Sequence, residues 1–103
     1  MKDLNYSALL DLYGKALTDR QLKFMEQYYH LDYSLFEIAE NESVSRQAVH
    51  ACLKKAQGAL DDLEEKLGFY ARKATVRAVV AAAKMQGEPA ALQEALDKIE
   101  EIL

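Results

Sequence analysis

Five side chains within ten residues carry most of the chemistry this sequence can offer: Arg46, Gln47, His50, Lys54 and Lys55. Arginine, glutamine and histidine present donors that suit base edges or a folded RNA, while lysines hold phosphates as point charges. The block around them is free of acid. Residues 43–60 hold three Lys/Arg and no Asp/Glu, against four and eight in residues 1–42 and six and nine in residues 61–103. A net charge of -4 speaks against general affinity for polyanions. One cationic face on an acidic body instead binds phosphate weakly and orients the molecule as it does so. Other chemistry finds no support. His30 and His50 lie far apart, without a cysteine or further histidine at zinc-ligand spacing. There is no glycine-rich phosphate loop, no G-x-S-x-G turn, and no activating base beside the single cysteine, Cys52. Catalysis, a metal and a cofactor are therefore not expected.

Two helices joined by a tight turn must position the five side chains. Ser34 and Glu37 form a capping box at the start of the first helix, and Ser45 caps the second. Between the caps, Ile38 and Ala39 face inward, and Ala39 is small enough to let the second helix cross closely. Val44, Val49 and Leu53 fill the angle, so the pattern is that of a helix-turn-helix. In that motif the first turns of the second helix enter the major groove, which makes Ser45, Arg46, Gln47, His50, Lys54 and Lys55 the candidate nucleic-acid-binding residues.

The second helix outlasts any groove. Its apolar residues continue through Ala56, Leu60, Leu63, Leu67 and Tyr70 at alternating spacings of four and three, a coiled-coil seam. Leu60, Leu63, Leu67 and Tyr70 are accordingly assigned to a partner or dimer seam. Asp61, Asp62, Glu64 and Glu65 on the same stretch would repel phosphates, so this half serves another purpose. Gly58 weakens the helix by about 1 kcal/mol relative to alanine and marks a place for a bend; Gly68 is placed to cap its end.

The rest of the chain also reads as helix. Leu4, Ala8, Leu9, Leu12 and Tyr13 share one face of a helix beginning near Asp3 and stopped by Gly14. Thr18 and Gln21 open a second capping box, and Leu22, Met25, Tyr28 and Tyr29 keep a helical rhythm as far as His30. Tyr28, Tyr29 and Tyr33 lack the interleaved basic residues of a base-stacking platform and read as packing. After Tyr70, Val76, Val79, Val80 and Ala83 predict a helix closed by Gly87. Pro89 opens a last one with Leu92, Ala95, Leu96, Ile99 and Leu103 inward. With one proline, four glycines and no alternating β-branched run, the expectation is an all-α fold. It has a helix-turn-helix domain with an extended recognition helix at residues 1–70. A helical tail at 71–103 packs on the long helix or on a second protomer. The lone cysteine fits a reducing compartment, no signal pattern is visible, and no apolar run approaches the roughly 20 residues that span a bilayer, so a cytoplasmic protein is expected.

The wording of several segments resembles known families. Leu17-Thr18-Asp19-Arg20-Gln21 ahead of the motif is similar to region 4 of the sigma factors. Phe24-Met25-Glu26, Tyr28-Tyr29, Asp32-Tyr33-Ser34-Leu35, Glu37-Ile38-Ala39-Glu40 and Val44-Ser45-Arg46-Gln47-Ala48-Val49 resemble the YlxM-like helix-turn-helix proteins of bacteria over about residues 4–70. That resemblance implies a regulatory or accessory factor of the signal recognition particle pathway, bound to DNA, to the particle's RNA or to its GTPase. Two positions depart from the usual pattern: Glu42 stands where an apolar residue closes the first motif helix, and Ser43 where glycine or asparagine turns the chain. Two other readings compete with the nucleic-acid factor: an adaptor docking the GTPase through the long helix, and a sequence-specific, dimeric transcription regulator.

Overall fold

Three short polar side chains each start a helix of the N-terminal half. The Thr18 hydroxyl accepts the Gln21 N–H at 3.1 Å while the Gln21 side chain accepts the Thr18 N–H at 3.1 Å. Ser34 and Glu37 repeat the exchange at 3.1 and 3.0 Å, and Ser45 Oγ accepts the Ala48 N–H at 3.0 Å. Each satisfies a backbone donor that the first helical turn leaves unpaired. The resulting elements, in a computed structural model that describes residues 4–103, are α1 (Leu4–Tyr13), α2 (Asp19–Tyr29), α3 (Leu35–Glu42), α4 (Arg46–Leu67), α5 (Phe69–Gln86) and α6 (Pro89–Ile102). Every regular element among the described residues is helical, so the fold is all-α.

The chain divides into two units, Met1–Leu67 and Gly68–Leu103. In the first, α4 is the central strut, packed against α1, α2 and α3. Met25, Ile38, Val49 and Leu60 are wholly buried between these helices, each contributing about 1.5–3 kcal/mol of transfer free energy. Polar bonds clamp α1 along the far half of α4: Tyr6 donates to Asp61 at 2.9 Å and Tyr13 to Glu64 at 2.7 Å. The tyrosines of α2 are packing residues, as their sequence context suggests. Tyr28 and Tyr29 meet edge to face with centroids 4.9 Å apart, and Gln57 of α4 donates to the Tyr29 hydroxyl at 2.7 Å.

Several expectations need correction. The start of α1 at Asp3 lies outside the described residues, and Leu10, absent from the proposed apolar face, is buried. Helix α1 does end at Gly14, which opens a 3-10 turn, Gly14–Ala16. A Cβ there would lie 3.1 Å from Leu22 Cδ1 and 3.4 Å from Leu10 Cδ1, so a larger residue would have to push these side chains aside by a few tenths of an ångström. Helix α4 runs uninterrupted through Gly58. It ends at Leu67 because Gly68 turns left-handed at φ 65°. Tyr70 therefore belongs to α5, and the four-three seam is cut before reaching it. Leu60, assigned to that seam, is sealed in the core of its own unit, Leu63 is half-buried, and only Leu67 is exposed.

In the second unit α5 and α6 form an antiparallel hairpin around left-handed Gly87, with Pro89 at the start of α6. Small residues make its seam: Ala91 and Ala95 are buried, whereas Leu92, Leu96 and Leu103, expected inward, stand 57, 50 and 82% exposed. A two-helix hairpin has only one flank to cover, and the alanines that permit close approach take it.

Candidate nucleic-acid interface

The turn between α3 and α4 is set by Ser43, whose φ of 55° and ψ of 44° are left-handed. Its N–H is shared between the Ala39 and Glu40 carbonyls, and the Val44 N–H reaches back to the Ala39 carbonyl at 3.1 Å. That pairing is a Schellman closure, with Val44 half-buried and Ala39 buried at its two ends. Serine in this conformation costs about 1 kcal/mol or more. The chain holds it there through the other unusual residue. Glu42 accepts Lys23 Nζ at 3.0 Å and Gln27 Nε2 at 3.1 Å, and the buried Gln27 amide also accepts Asn41 Nδ2 at 3.3 Å. At this position α2 and α3 are pinned by polar bonds. The charge of the carboxylate nearest the turn is thereby partly offset by Lys23.

Helix α4 begins immediately beyond, and the positive end of its dipole adds to the side-chain charge. Arg46, Gln47, His50 and Lys54 are all exposed; spacing turns Gln47, His50 and Lys54 away from buried Val49, Leu53 and Ala56, and Arg46, in the first turn, lies at the edge of that face nearest the core. Ser45 is spent on the cap, with its Oγ turned to Ala48, so its part is to shape the helix start. Lys55 is exposed on a different flank, beside Cys52. There it is joined by a residue the sequence reading missed. Arg20 of α2 stacks its guanidinium over the Phe24 ring at 5.2 Å, and its charge lies close enough to the Cys52 thiol to act on it. Burial raises the Cys52 pKa, and the cations Arg20 and Lys55 only partly offset that. Arg20 and Lys55 thus form a second cationic flank beside the face of Arg46, Gln47, His50 and Lys54. Nothing local to Arg20 announces this; only the packing of α2 on α4 creates it.

The acidic residues of the far half of α4 are partly engaged in structure. Asp61 and Glu64 are the acceptors for Tyr6 and Tyr13, so part of the negative charge that keeps this half from phosphates is a clamp for α1. No group of three or more potential metal ligands converges among the described residues, and no helix among them is long and apolar enough to cross a membrane.

Comparison with known proteins agrees with this geometry. Residues 1–102 match the family model described as "Putative helix-turn-helix protein, YlxM / p13 like", which is not a known enzyme family. The chain is 49% identical over 72 residues to the UPF0122 protein of Symbiobacterium thermophilum, covering 69% of this chain and 67% of that one. It is 51% identical over 73 residues to the UPF0122 protein of Desulforamulus reducens, covering 70 and 62%, and 47% identical over 75 residues to that of Malacoplasma penetrans, covering 70% of each. The chain spans about two thirds of the length of these relatives. With the capped helix pair, the Schellman turn and the family match in agreement, the chain belongs to the YlxM/p13-like family of helix-turn-helix proteins.

Proposed function

We propose that the N-terminal half of α4 binds nucleic acid, with Arg46, Gln47 and His50 toward bases or a folded RNA, and with Lys54, Lys55 and Arg20 on phosphates. The observation that carries this reading is an exposed, acid-free, cationic helix start presented by a rigid turn in an otherwise acidic protein. Gly58 supports it. It lies on the exposed side of α4 one turn beyond Lys54, and nothing stands within 4 Å of where its Cβ would be. The fold has no internal need for glycine there, whereas a flush helix surface lets a phosphate backbone approach closely.

On the sequence resemblance alone, we extend the proposal to a non-enzymatic regulatory or accessory role in the signal recognition particle pathway, with the particle's RNA as first candidate ligand and duplex DNA as second. The test is salt-dependent binding to both. Lys54→Glu is expected to weaken binding to every sequence, and Arg46→Ala to relax whatever selectivity exists. Failure of both substitutions to alter binding to either nucleic acid would remove this face from the account.

A second reading, docking on the pathway's GTPase, is favoured by the net charge of -4 and by exposed Leu67 at the end of α4. Capture of the GTPase that survives Arg46→Ala and Lys54→Glu but is lost with Leu67→Lys would select it.

A further inference from the structure

The hairpin of the second unit carries its charge in an uneven way. Helix α5 holds Arg72, Lys73, Arg77 and Lys84 and no acid. Helix α6 and its cap hold Glu88, Glu94, Asp97, Glu100 and Glu101, with Lys98 as their only cation. No ion pair among the described residues joins the two helices, so this opposition is not consumed within the hairpin.

On one side of the hairpin runs an open apolar groove of about 430 Å³, lined by Val80 and Ala83 of α5 and by Leu92, Ala95, Leu96 and Ile99 of α6. Its charged lining residues are Lys84 and Glu88. Helical spacing puts Lys73, Arg77 and Lys84 on the face of Val80, and Glu88 and Glu100 on the face of Leu92 and Leu96. Because the helices are antiparallel, Lys84 lies near the level of Glu88 and Leu92, and Arg77 near that of Glu100.

We propose that this face is a homodimerisation surface, on which two hairpins pack groove to groove into a four-helix bundle with α5 of each copy against α6 of the other. Charge selects the arrangement. A two-fold axis running along the helices sets Arg77 opposite Glu100 and Lys84 opposite Glu88 of the second copy, and brings both turns to the same end. The alternative axis, across the helices, lays α5 on α5 and crowds the cations of Lys73, Arg77 and Lys84 against their own copies, which is repulsive. The aliphatic stems of these residues are long enough to cover Leu92 and Leu96 of the partner copy while their charged ends reach its carboxylates. Such a bundle buries the leucines that the hairpin alone leaves exposed, and it joins two helix-turn-helix units in one particle.

The test uses the full chain in sedimentation equilibrium. The unaltered protein is expected to form dimers, and Leu92→Glu with Leu96→Lys to raise the dimer dissociation constant by more than about a hundredfold, because each exposed leucine is counted twice across the axis. Both residues are at least half exposed, so helical content by circular dichroism should hold. A charge cycle then tests the arrangement. Arg77→Glu with Lys84→Glu should dissociate the dimer, and adding Glu88→Lys with Glu100→Lys should restore it. A monomer at all concentrations, a dimer indifferent to the leucine substitutions, or a failure of the charge rescue would each overturn the proposal.

Discussion

Replacing Glu42 by alanine probes how the helix-turn-helix is held where the end of α3 meets α2. The substitution removes the acceptor of Gln27 Nε2 at 3.1 Å and the partner of Lys23 Nζ at 3.0 Å. Gln27 is only 8% exposed, and its amide would keep just the long 3.4 Å contact to the Lys23 carbonyl as an acceptor. Loss of a charged acceptor by a buried donor costs about 1.5 kcal/mol. The Lys23 side chain is 63% exposed, so the ion pair adds no more than about 0.5 kcal/mol. The expected destabilisation is therefore about 2 kcal/mol, read from urea unfolding followed by the near-ultraviolet tyrosine signal. Five of the six tyrosines lie in the first unit, which makes that signal specific to it. Gln27→Leu on the same background should show a coupling of about 1 kcal/mol, because the two residues share one bond. A Glu42→Ala cost below about 0.5 kcal/mol, or strict additivity, would refute the claim that polar bonds pin α2 to α3 here.

Other outcomes follow from the same geometry. Ser43→Gly should stabilise the first unit by about 1 kcal/mol, since glycine meets no Cβ penalty at φ 55°, as measured by urea midpoint. Gly58→Ala should also stabilise, by up to about 1 kcal/mol, because helix propensity rises and no atom obstructs the new Cβ. If the flush surface serves a ligand, the same variant binds nucleic acid more weakly while melting higher. The Cys52 thiol, raised by burial, should alkylate more slowly than a free cysteine at pH 8. A raised pKa in the folded state also means that its stability contribution is whole below the ordinary value of 9.0 and fades as pH climbs through the raised one. Unfolding at pH 8 and 10 should then show a larger loss for the native chain than for Cys52→Ala.

The parts of the fold legible in the sequence are those fixed by neighbours a few residues away. Thr18, Ser34, Ser45, Gly68, Gly87 and Pro89 each mark a helix end because the groups they satisfy, or cannot satisfy, lie within one turn. Apolar period alone says which residues want burial but not what buries them. Leu60 goes into the core of the first unit and Leu92 stays at the surface, although both sit on well-formed stripes. The seam failed at Tyr70 because a heptad count is blind to the left-handed step at Gly68. The candidate site divides in the same way. Gln47, His50 and Lys54 share a face by helical arithmetic, with Arg46 at its edge, whereas Lys55 and Arg20 are brought together by the packing of α2 on α4. The part played by Glu42 depends on Lys23 and Gln27 across from it on α2, a pairing that no local spacing reveals.

The central claim, that the start of α4 is a phosphate-binding face, is tested most directly by the slope of log binding constant against log salt concentration for the native chain and for Lys54→Ala. Loss of one phosphate contact should flatten the slope by about 0.9 on duplex or about 0.7 on single-stranded nucleic acid, with the fold unchanged. A slope identical for the two proteins, or no salt dependence in either, would contradict it.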